Sequence, residues 1–72
     1  MDPQTALNRF NDPRTVRAER VEIAEALLTW LQRGGSAPQG KLDPSKVEAL
    51  HRHFELAGHA AACAVNRLLA KA

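Results

Sequence analysis

Asp-Pro occurs three times in this chain, at Asp2-Pro3, Asp12-Pro13 and Asp43-Pro44. Each copy has the chemistry of a helix start. The Asp carboxylate accepts from the free N–H groups of the first turn. Pro takes the next position, where its missing N–H is not needed and its φ is already helical. No stretch alternates apolar and polar residues with a period of two, so the three starts predict an all-α chain with no sheet.

The first helix has room only for about 3–10, ending at Asn11. The second is predicted over about 13–33, stopping at Gly34-Gly35, where a glycine takes the left-handed conformation that closes a helix. The segment 34–43 opens with "GGSAPQGKL" and reads as a flexible connection, because Pro38 and the flanking glycines are turn formers. The third helix is predicted over about 44–71. At 1.5 Å per residue the two long helices measure ~30 and ~40 Å. A connection of this length folds them back antiparallel. The expectation is a single helical domain over 1–72, a helical hairpin with a short N-terminal helix laid across it.

The apolar faces carry the argument further. Val47, Leu50, Phe54, Ala57, Ala61, Ala64 and Leu68 follow a 3-4 spacing, which defines a packing seam for the core or for a dimer. The small residues in its middle predict a close helix approach. Trp30 reads as a core anchor or a partner-facing aromatic. The second helix has a wide apolar arc, from Val16 through Ile23, Leu27 and Leu28 to Leu31. A two-helix hairpin needs only one narrow stripe per helix. The surplus predicts a homodimer, in which two hairpins make a four-helix bundle.

Composition excludes several classes. Ten basic and eight acidic residues leave a net charge of only +2, too balanced to imply nucleic-acid binding by itself. One cysteine cannot build an intramolecular disulfide framework and suits a reducing compartment. No apolar run is long enough to span a bilayer, and the first residues lack a signal-peptide layout, so the expected location is cytoplasmic.

The stretch "HRHFELAGHAAAC" holds all three histidines and the only cysteine. His51, Glu55, His59 and Cys63 recur every fourth residue. On one continuous helix the ends of that row stand ~18 Å apart, so at most two neighbours could share an ion. Glu55, His59 and Cys63 are the candidate ligands of a metal-bridged dimer. A structural zinc needs four ligands, and neither paired Cys-x-x-Cys nor His-Glu-x-x-His is present. The expectation is that Cys63 fills apolar space, that His51 and His53 are solvated, and that no cofactor is held. Nothing assembles a nucleophile, base and orienting group, and no Gly-rich phosphate loop follows a strand. The reading is therefore not an enzyme.

Arg9, Arg14, Arg17 and Arg20 fall within twelve residues, around the start of the second helix. Two of them lie where the helix dipole disfavours cations. Their stems can cover the core edge, or their heads can meet a partner. Arg17, Arg20, Leu28 and Trp30 are the expected contact residues for a protein partner, in an adaptor, regulator or co-chaperone. The alternative is a dimeric nucleic-acid-binding regulator that uses Arg9, Arg14, Arg17 and Arg20 on the phosphate backbone.

Overall fold

The computed structural model describes residues 1–71, and among them it has four helices: α1 Pro3–Asn11, α2 Arg17–Gln32, α3 Pro44–Arg52 and α4 Leu56–Lys71. No strand occurs among the described residues. Two Asp-Pro starts cap as expected. Asp2 accepts from the Thr5 N–H at 2.8 Å, and Asp43 accepts from the Ser45 N–H at 3.0 Å.

The middle Asp-Pro does something else. Asp12 closes α1, its N–H donating to the Arg9 carbonyl at 3.2 Å. Its side chain accepts from the Arg14 N–H at 2.9 Å, and its carbonyl accepts from the Thr15 N–H at 3.0 Å. An Asp that bonds two residues ahead makes a turn in place of a cap. Helix α2 therefore begins at Arg17 and not at Pro13, with Val16 before it and no side-chain cap.

The larger departure lies in the C-terminal half. The helix predicted over 44–71 is two helices, with a corner between Arg52 and Leu56. Helix α3 ends in a Schellman arrangement. The Phe54 N–H donates to the His51 carbonyl at 3.1 Å and the Glu55 N–H to the Leu50 carbonyl at 2.9 Å. Helix α2 ends the same way, with Gly34 donating to Leu31 at 3.1 Å and Gly35 to Trp30 at 2.9 Å. The left-handed residue is Gly34 in one case, at φ 84°, and Phe54 in the other, at φ 60°.

The corner shortens the molecule and redistributes its apolar faces. Its longest extent is 30 Å, shorter than the rod a continuous third helix would make. Helix α2 packs against both α1 and α4, and α3 packs on α4. The core joins Leu7 and Phe10 of α1, Ile23, Ala24 and Leu27 of α2, Val47 and Leu50 of α3, Ala61, Ala62 and Val65 of α4, and Leu42 of the connection. The single seam expected along 47–68 is therefore divided. Val47, Leu50 and Ala61 are buried, Ala64 and Leu68 half-buried and Ala57 exposed. Phe54, off both helices, is 86% exposed. Helix α4 approaches α2 closely at Gly58, where an added Cβ would sit 2.7 Å from Val21 Cγ2.

The connection 34–43 is fastened, not free. The Trp30 indole N–H donates to the Ser36 carbonyl at 2.8 Å. Gln4 accepts from the Gln39 N–H at 2.8 Å and donates to its carbonyl at 3.2 Å. Asn11 accepts from the Asp43 N–H at 2.7 Å and donates to the Lys41 carbonyl at 3.0 Å. Asn66 accepts from the Leu42 N–H at 2.8 Å and donates to the Leu42 carbonyl at 3.0 Å. Three side-chain amides thus satisfy a strand-like segment that has no neighbouring strand. They lock Leu42 into the core with no exposure.

One chain therefore covers most of the apolar surface that the hairpin reading left open. The accessible surface is 4569 Å², against about 4,400 Å² for a folded monomer of this mass.

Candidate interaction surface

The four arginines have different surroundings. Arg20 is half-buried, and its Nε donates to the Phe10 carbonyl at 2.8 Å while Nη2 donates to the Asp12 carbonyl at 2.6 Å. It closes the C-terminal end of α1 and belongs to the fold. Arg9 pairs with Glu19. Arg14 pairs with Asp12 at 3.0 Å. Hydrogen bonds and charge from Arg14 hold the Asp12 carboxyl down at about 2, and the Asp12 contact raises Arg14 in turn. The hydrogen bond that Arg9 donates to Glu19 likewise raises Arg9. Arg17 is exposed and has no hydrogen-bond or ion-pair partner among the described residues. Of the expected apolar contact residues, Leu28 is half-buried against the core and Trp30 remains 43% exposed.

Trp30 opens onto a feature that the residue pattern does not reveal. Docking α1 along α2 leaves a cleft of about 130 Å³ lined by Met1, Pro3, Ala6, Ala26, Leu27 and Trp30. A second hollow of about 300 Å³ adjoins it, sharing Met1, Ala6 and Ala26 and adding Ile23, Glu19 and Glu22. Together they make a groove with an apolar floor and two carboxylates at one end. Ala26 and Glu22 gave no sequence signal, because their role comes from where α1 lies.

A wider groove of about 450 Å³ separates α3 from α4, lined by Pro44, Val47, Glu48, His59, Cys63, Asn66, Arg67 and Ala70. Cys63 is half-buried at its wall and not enclosed in the core. Its Sγ is 3.5 Å from His59 Nε2, and the His51 and His59 rings stand 5.0 Å apart. Glu55 leaves the row, because it precedes α4 and its carbonyl accepts from the His59 N–H at 2.8 Å. Among the described residues no three His, Cys, Asp or Glu side chains gather around one point. The metal set expected from Glu55, His59 and Cys63 is reduced to the His59–Cys63 pair.

At the corner, Phe54 and Leu56 project into solvent at 86% and 56% exposure, flanked by exposed His51, Arg52 and His53. No helix among the described residues is long and apolar enough to cross a membrane. Comparison of the chain with protein-family models, curated proteins and solved structures returns no match.

Proposed function

We propose that this chain is a non-enzymatic protein-interaction module, an adaptor, regulator or co-chaperone, working in the reducing cytoplasm that suits its single cysteine. The observation that carries this reading is the α1–α2 groove. Trp30, Leu27, Ile23 and Ala26 offer a preformed apolar trough, and at one end Glu22 stands beside the Glu19 carboxylate that Arg9 already engages. Such a trough fits an apolar helix or extended segment that carries a basic residue. Trp30 is the anchor, because its indole N–H is already satisfied, Gly35 backs the ring on one side, and the side chain is still 43% exposed. Arg17 is a rim contact.

The test is capture of partners from the native host with wild type and with Ala26→Arg, which plugs the trough from an exposed position. A stoichiometric protein held by wild type and lost in the variant supports the reading. Equal capture by both overturns it.

The second reading, a nucleic-acid-binding regulator, draws support from the exposed side chains of Arg14 and Arg17. It predicts affinity for a labelled duplex or single strand that falls steeply with added salt. We also propose that the protein forms a homodimer. A single chain already supplies four helices, so the pair would join two complete units and not two hairpins.

A further inference from the structure

We propose that Phe54 is the docking knob of that homodimer, and that it seats in the α3–α4 groove of the second copy. The inference rests on the dimer reading and on four observations.

The first is the comparison of two identical helix ends within one chain. Both α2 and α3 close with the same pair of hydrogen bonds, and glycine fills the left-handed position in the first. Phe54 fills it in the second, where a Cβ is disfavoured. The ring is also 86% exposed, so the fold gains almost nothing from it. A strained backbone that holds a large aromatic in water points to a use outside the isolated chain.

The second is the hole. The α3–α4 groove has about 450 Å³ and an apolar wall of Pro44, Val47, Cys63 and Ala70 that no side chain of this chain fills. That is ample for a phenyl ring.

The third is charge. Glu48 lines the groove and Arg52 lies four residues on, one turn along the same helix, and both are exposed. Neither takes part in an ion pair among the described residues. When two α3 helices run antiparallel about a two-fold axis level with Leu50, Glu48 of each meets Arg52 of the other. A two-fold interface repeats every contact, so both pairs form.

The fourth is register. In that arrangement the level of Phe54 falls opposite position 46 of the second copy, between Pro44 and Val47. The charge pairing and the knob-in-groove fit therefore require the same alignment, although each comes from different residues.

The experiment is sedimentation equilibrium of the full chain from about 1 µM to about 1 mM, a range suited to a small interface of this kind. Wild type is expected to self-associate to a dimer. Phe54→Gly, which places the residue that this helix end favours, is expected to stay folded by circular dichroism and to be monomeric throughout. Glu48→Arg and Arg52→Glu alone are each expected to weaken the dimer at least tenfold, and the double exchange to restore it. A wild type that is monomeric at the top of the range overturns the proposal. So does a dimer that survives Phe54→Gly, or a double exchange that restores nothing. The purified chain decides this point and Ala26→Arg probes the opposite question of an outside partner, so either reading can fail without the other.

Discussion

Replacing Arg20 by Met tests whether this residue holds the fold or waits for a partner. Met keeps the apolar stem and removes the guanidinium. Two hydrogen bonds go, to the carbonyls of Phe10 at 2.8 Å and Asp12 at 2.6 Å. Bonds from a charged donor contribute about 1.5–3 kcal/mol each. The site is only half-buried, and water reaching the freed carbonyls returns part of that, so the net loss is about 2–3 kcal/mol. A chain of this length has about 4–11 kcal/mol in total. At about 4–8 °C per kcal/mol the melting midpoint should fall by roughly 10–20 °C. Arg17→Met is the control, with an expected change under about 0.5 kcal/mol, because Arg17 is exposed and engages nothing among the described residues. The assay is thermal unfolding followed by circular dichroism, with urea unfolding as a check. Equal melting of the two variants would refute the assignment of Arg20 to the fold.

Three further outcomes follow from the same contacts. Phe54→Gly should raise stability by about 0.5–1 kcal/mol, the relief of a left-handed side chain less its slight burial, read as a higher urea midpoint. Asn66→Ala strips both groups of Leu42 of their partner. It should cost about 2–4 kcal/mol and speed amide exchange at Leu42 in hydrogen-exchange measurements. The carboxyls of Asp2, Asp12 and Asp43 are all held below their usual value, by Thr5, Arg14 and Ser45 respectively. Depressed acids stabilise the folded state fully above their unfolded pKa of 3.8 and lose that contribution as pH falls through the folded value, about 2 for Asp12. The urea midpoint should therefore decline between about pH 4 and pH 2, and Asp12→Asn should flatten part of the decline.

How much of this was legible in the sequence depends on whether a feature is local. Asp2 and Asp43 cap helices because the cap needs only its own first turn, and Gly34 closes α2 for the same reason. Asp12 carries the same dipeptide, but its carboxylate bonds Arg14 two residues on and makes a turn, while its carbonyl takes Arg20 from the next helix. The corner at Phe54 left no trace in the pattern. The 3-4 spacing continues through it, and no glycine or proline marks it. Beyond it α4 packs on α2, with Gly58 against Val21, a contact between distant residues that the spacing does not record. Among the candidate surface residues, Trp30 and Arg17 could be named from composition and face. The groove around Trp30 could not, because it exists only once α1 lies along α2. The role of Arg20 was hidden because its acceptors are backbone carbonyls, which side-chain patterns do not record.

The chain has only two phenylalanines, and they are opposites: Phe10 is fully buried and Phe54 is 86% exposed. Fluorine NMR of protein labelled with 4-fluorophenylalanine therefore gives two signals that report the core and the corner separately. At low concentration the Phe54 signal should shift on exchange of water for deuterium oxide and the Phe10 signal should not. As concentration rises, the Phe54 signal alone should move and lose that solvent shift, as the ring enters the groove of a second copy. A Phe54 signal shielded from solvent at dilutions where the chain sediments as a monomer would mean a continuous helix with the ring in its seam. One that stays exposed and unmoved at every concentration would mean that no second copy covers it.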